Sequence, residues 1–257
     1  MYDLSPELVV TAHDAVRLVE LNRPEQLNCT SEELHTDLSE VWDAIAADQR
    51  AKAVVLTGRG QAFSAGGNFR VMERVQRDAA FREKNIVEAR RIITSMVRCP
   101  VPVVAAVNGP AVGLGCSLAL LSDLVVVAED AHFADPHVQV GLVAGDGGAL
   151  VLPLLVGLAR AKEMLFLGQR VDAHEAVRLG IANRVVPQDE LLAEAMSLAQ
   201  RIALLPTQAL RDTKRTVNLH LEAAMSTVME PGLLAERASM HSPEHVALVK
   251  KLTSRHS

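Results

Sequence analysis

The chain has few aromatic residues: five Phe, one Tyr and one Trp among 257. It has no surplus of basic residues either, its formal net charge being -5. A nucleic-acid surface needs cationic charge and stacking rings, so nucleic acid is excluded as the main partner. Cysteine is scarce: Cys29, Cys99 and Cys116 are odd in number and widely spaced, with no C-x-x-C pair. Neither a disulfide framework nor a zinc site is expected, no metal is assigned, and a reduced, cytoplasmic setting fits. Met1-Tyr2-Asp3-Leu4 lacks the basic stretch and apolar run of a signal peptide. The longest apolar region, 101–128, is broken by Asn108-Gly109-Pro110 and carries Ser117, Ser122 and Asp123. A membrane span is therefore not expected; a buried strand, a turn, a short helix and another strand fit better.

A hydrophobic fraction of 49% against 22% charged residues is enough for a folded core, which excludes disorder as the main theme. Two β-prone runs, 9–12 and 15–21, flank His13-Asp14 and predict a hairpin. Thr30, with Glu33 three residues on, reads as a capping box for a helix whose apolar face is Leu34, Leu38, Val41, Trp42 and Ile45. Compact apolar strands are expected at 53–57, 103–107 and 124–128. Between the first two lies a charged, mobile stretch and then a helix from Ile86 to Met96. This alternation predicts βαβ units and a largely parallel sheet. After about Gly145 helical periodicity takes over, with Arg184-Val185-Val186 the remaining strand signal. The expected organisation is an α/β core over 1–195 and a helical region over 196–257.

Two segments join a buried strand to a glycine turn and a helix. One is Thr57-Gly58-Arg59-Gly60-Gln61-Ala62-Phe63-Ser64-Ala65-Gly66-Gly67-Asn68; the other runs from Val107-Asn108-Gly109-Pro110 to Gly113-Leu114-Gly115-Cys116-Ser117. Glycine brings backbone amides close to a ligand, and a helix start adds unpaired N–H groups. Either loop could also be only a tight turn. Neither supplies the G-x-G-x-x-G and downstream acid of a dinucleotide site.

In this order and spacing, with Leu21-Asn22-Arg23-Pro24 before them and Leu167-Gly168-Gln169-Arg170-Val171-Asp172-Ala173 after, the loops resemble the crotonase (enoyl-CoA hydratase/isomerase) superfamily over nearly the whole chain. The resemblance implies an α/β spiral of ββα/βαβ turns. Its helical C-terminal region would make a homotrimer or dimer of trimers. The implied partner is an acyl-CoA substrate, with no separate cofactor, since coenzyme A is part of the substrate. The amides of Gly67 and Leu114 would form an oxyanion hole. Arg23, Ala65, Gly66 and Gly113 would bind substrate, Ala65 offering backbone to adenine. Gln26 stands where relatives often carry a basic residue.

Hydratases of this kind add water with two glutamates. Here Ser117 and His137 occupy those positions, so paired-glutamate hydration does not carry over. What remains is His137, nine residues before Asp146. The pair resembles that of β-diketone hydrolases such as 6-oxocamphor hydrolase. There an aspartate on the far nitrogen would fix the tautomer and leave the ring to move protons near neutrality. Three functions follow: proton transfer of the hydratase/isomerase type, hydrolysis of a thioester or β-diketone C–C bond, and acyl-CoA binding without catalysis. Asp146 could also cap a helix beginning at Gly147, and Asp135 could cap the turn before Pro136. Ser117 and Cys116 read as helix and core residues, and Glu236 as structural. His35 is unassigned. Phe69, Met72 and Phe81 could line an acyl tail or pack helices.

Overall fold

A computed structural model describes residues 2–254. Strands β1 (Leu8–His13) and β2 (Val16–Leu21) form the expected antiparallel hairpin, turning at Asp14 with φ 52°. Next come α1 (Glu32–Ala47), β3 (Ala53–Gly58), α2 (Phe69–Arg77), α3 (Ala79–Arg98), β4 (Val103–Val107) and β5 (Ala111–Val112). The middle of the chain supplies α4 (Leu114–Leu121), β6 (Leu124–Ala128), β7 (His132–Ala134), α5 (Gly148–Val156), α6 (Leu158–Leu167) and β8 (Val171–Asp172). Finally α7 (Ala173–Arg178) and β9 (Arg184–Val186) lead to four helices: α8 (Leu191–Ala203), α9 (Thr207–Ala224), α10 (Glu230–Ser239) and α11 (Pro243–Thr253).

The main sheet has the order β1-β2-β3-β4-β6-β9, and every pairing after the hairpin is parallel. β3 and β4 are buried along their whole length, which explains their lack of apolar–polar alternation: parallel strands covered on both faces read as near-continuous apolar runs. A small second sheet, β5-β7-β8, stands beside it. The architecture is the expected α/β spiral with a helical C-terminal region. Helix α8 runs through residue 195 and packs on β3, β4 and β6, so the helical part begins as a layer of the core.

Two local expectations change. Helix α1 is capped by Ser31, whose Oγ accepts from the Leu34 amide at 3.0 Å, not by Thr30. Ser31 is the residue with extended φ/ψ at the helix start, so the cap shifts by one and Glu33 is no longer at the N3 position. The apolar stripe is as read, with Leu34, Leu38, Val41, Trp42 and Ile45 all buried. The charged stretch before Ile86 is helical. Asn68 and Asp78 cap α2 and α3 in succession, and Arg70, Arg74 and Arg77 of α2 are exposed. Among the described residues, no helix is long and apolar enough to cross a membrane.

Candidate active site

The two glycine loops are stitched together. Ser64 donates from its amide to Pro110 O at 3.0 Å, and its carbonyl accepts from the Val112 amide at 2.8 Å. Gly66 has φ +89°, and a β-carbon there would sit 3.0 Å from Val112 O; Gly113 has φ +55°. At these positions glycine is required by backbone conformation, and at Gly66 also by the approach of the second loop. Gly67 and Leu114 line a shared cavity, Leu114 as the first residue of α4. Among the described residues neither amide donates to a protein acceptor. Two free N–H groups at one cavity, one of them at a helix start, suit a developing oxyanion.

The rest of the cavity wall carries side chains that can move protons. The short 3-10 turn 137–140 carries His137, and His245 of α11 pins it by bonding Nδ1 to Val140 O at 2.6 Å. His137 Nδ1 lies 2.5 Å from Asp135 Oδ1, while Nε2 lies 3.4 Å from Asp146 Oδ2. The sequence reading gave Asp146 the orienting role; the structure gives it to Asp135, two residues away on the same turn. Nor does Asp146 cap a helix: α5 starts one residue later, with Gly147 as its cap and no side-chain cap bond. Instead Asp146 turns inward, where Ser117 Oγ is 3.4 Å from its Oδ1.

Glu236, read as structural, projects from α10 into the same space. It is 5% exposed, its Oε2 has no partner among the described residues, and it lines the cavity. One ligand atom each from His137, Asp146 and Glu236 lies within 4.8 Å of the others. That spacing could accept a divalent cation only if His137 first gave up its Nε2 proton. Burial disfavours a charged imidazole, but Asp146 and Asp135 outweigh it and hold the His137 pKa well above 6.5. Burial would raise Asp146, yet its contact with His137 brings it below the usual aspartate value. Glu236 is pushed well up, by burial first and the Asp146 charge second. These directions favour a charged imidazole and an ionised Asp146, beside a Glu236 that keeps its proton to higher pH than an ordinary glutamate.

The cavity measures about 90 Å³ and also takes in Met72 and His35. Phe81 is buried with Arg74 stacked on its ring at 4.1 Å, and Phe69 lies outside the cavity, in a surface groove. That groove, of about 840 Å³, meets the cavity at Gly67 and includes Gln26, Ala65, Arg70 and Lys250. The Ala65 amide donates to Leu27 O at 2.9 Å, while among the described residues nothing donates to its carbonyl. Arg23 is tied into its own loop, at 2.6 Å from Cys29 O, 2.7 Å from Gln26 Oε1 and 3.1 Å from Glu7. Cys116 and Ser117 are buried in α4.

Comparison with known proteins places the fold in a family. The profile of the enoyl-CoA hydratase/isomerase family matches residues 11–253. A crystal structure of an enoyl-CoA hydratase/isomerase from Mycobacterium paratuberculosis is 48% identical, with TM-score 0.95, covering 97% of this chain and 100% of the other. A monofunctional enoyl-CoA isomerase from M. smegmatis is 32% identical, with TM-score 0.72, over 86% of this chain and 96% of that one. A short-chain-enoyl-CoA hydratase from Clostridium acetobutylicum is 30% identical over 86% of this chain and 85% of its own length.

Proposed function

The chain belongs to the enoyl-CoA hydratase/isomerase family, and from that premise we propose that it catalyses proton transfer beside the thioester carbonyl of an acyl-CoA, through an enolate. The observation that carries the reading is the buried cluster of His137, Asp146 and Glu236 in one cavity with the Gly67 and Leu114 amides, the Asp146 pKa lowered and that of Glu236 raised. Two carboxyl groups driven apart in pKa are an acid and a base by environment. They restore, from other parts of the chain, the pair that positions 117 and 137 no longer supply.

With the ester in the groove, its carbonyl oxygen accepts from the Gly67 and Leu114 amides. Asp146 takes a proton from the adjacent carbon, and the amides hold the resulting oxyanion. Glu236 returns a proton to a carbon further along the acyl group, which moves a double bond; addition of water across that bond is the hydratase variant. Asp146 is then protonated and Glu236 ionised, and a proton passing between them, with the charged His137 adjoining, resets the site. Each amide contributes a rate factor of about 10² to 10³. Arg23 serves to brace the loop, and the Ala65 carbonyl is free to accept from an adenine amino group.

The hydrolase reading has one observation in its favour, the short Asp135–His137 contact, which matches the orienting pair of a triad. It is the weaker reading because an imidazole kept protonated cannot take a proton from water. A binder without catalysis has no use for a buried cluster that costs desolvation. As for assembly, Leu154, Leu158, Phe166 and Leu167 of α5 and α6 are more than half exposed, in keeping with a trimer interface.

The test is a mass-spectrometric time course with short enoyl-CoA esters in deuterated water. Deuterium in the recovered ester, with an isomerised or hydrated product, is the expected result. Release of free coenzyme A as the main event overturns the reading in favour of hydrolysis.

A further inference from the structure

A second histidine–carboxylate pair faces the cavity, carried by α1 and α3, which supply none of the reacting cluster. His35 of α1 and Asn85 of α3 both line it. His35 Nδ1 lies 2.9 Å from Glu88 Oε2, and Glu88 Oε1 accepts from Thr36 Oγ1 at 2.8 Å with Lys84 Nζ at 3.6 Å. Burial would raise the Glu88 carboxyl, but His35, Thr36 and Lys84 outweigh it and keep it below its ordinary value. With Nδ1 committed to an ionised partner, the ring is fixed and Nε2 is the atom left for the cavity. Among the described residues, no protein group hydrogen-bonds Nε2 or the Asn85 side-chain amide.

An ordinary alkyl tail entering here would strip water from two polar groups and return nothing. A carboxylate tail gains little: no Arg or Lys lines the cavity, and His137 is already engaged by Asp135 and Asp146. The volume of about 90 Å³ is small beside the roughly 300–1,000 Å³ of common ligand pockets, which favours a compact group. We propose that His35 and Asn85 recognise an uncharged oxygen, a hydroxyl or ketone, carried by a short acyl group beyond the carbons that exchange protons. The preferred ester is then a tail-oxygenated acyl-CoA, not a plain fatty acyl-CoA. This rests on the acyl-CoA reading above.

Binding separates the two claims because it needs no turnover. Calorimetric titration would compare hexanoyl-CoA, 5-hydroxyhexanoyl-CoA and 5-oxohexanoyl-CoA on the wild type, on His35→Leu and on Asn85→Leu. At least one oxygenated ester is expected to bind about tenfold tighter than hexanoyl-CoA, the worth of one net hydrogen bond. In His35→Leu that preference falls below about threefold, while hexanoyl-CoA binds as well as before. Asn85→Leu provides the same readout if His35→Leu does not fold, and His35→Gln should retain part of the preference. Equal wild-type binding of all three esters, or a preference that survives both leucine variants, overturns the inference alone. No binding of any ester overturns the acyl-CoA reading and the inference with it.

Discussion

The cavity has two chemically different walls. On the glycine-loop side the working atoms are backbone amides, and the residues are chosen for conformation: Gly66 at φ +89° and Gly113 at φ +55° let two loops touch. On the other side the working atoms belong to Asp135, His137, Asp146 and Glu236, whose character is set by mutual burial. The first wall tolerates side-chain change as long as the chain path persists. The second changes chemistry with any one substitution, because each group's charge depends on its neighbours. A fold can therefore keep one wall and rebuild the other.

The sharpest way to test that division is to remove the base without moving the backbone. Asp146→Asn should lower kcat by about 10³, within the span of general-base contributions, while ester affinity changes less than about threefold. Steady-state kinetics with parallel calorimetry reads both numbers. Activity within a few-fold of wild type would remove Asp146 from the chemistry. On the other wall the contrast lies between adjacent glycines. Gly66→Ala must place a β-carbon 3.0 Å from Val112 O at a φ that L-residues rarely take, so kcat/KM should fall by about 10². Gly67→Ala meets only the end of the flexible Met72 side chain at 2.9 Å and keeps the amide. Its loss should be about threefold or less. Equal losses at the two positions would break the account of a wall defined by chain path.

The same division explains what could be read from sequence. Gly66, Gly67, Gly113 and Leu114 sit in two contiguous motifs, and the buried strands beside them announce themselves as near-continuous apolar runs, so the fold and the amide wall were legible. His137 and Asp146 were legible as a pair but not as a geometry. Asp135 reads from sequence as a cap for the turn before Pro136, although Asp-x-His spacing on one tight turn suffices for the 2.5 Å contact. Glu236 carries no local signal, since a helix 90 residues beyond Asp146 must pack across the cavity before its carboxyl has neighbours. His35 looked like any polar residue on a helix until α3 brought Glu88 beside it. The cap of α1 was missed by one residue because Thr30 and Ser31 are both good N-caps and only the chain path chooses.

The side-chain wall should also show in stability, with a sign that the backbone wall cannot produce. Glu236 has a folded pKa above its unfolded value, so the native state holds its proton longer; stability declines as pH rises from about 4.3 through the folded pKa. The stabilisation from His137, also raised, is complete below about 6.5 and is lost as pH climbs through its folded pKa. Asp146, lowered, stabilises above about 3.9 and loses that only as acid protonates it. From neutral to alkaline pH the two raised groups act together, and the wild type should melt progressively lower. Glu236→Gln keeps shape and neutrality but has no proton to lose, which removes one of the two alkaline losses. Its melting temperature should therefore fall less between pH 6 and pH 9, by roughly 2–4 °C for each kcal/mol spared in a chain of this size. Calorimetric scans of both proteins across that range give the comparison. Parallel curves would mean that Glu236 does not hold a proton that ionises in this range, and the acid of the proposed pair would have to be sought elsewhere.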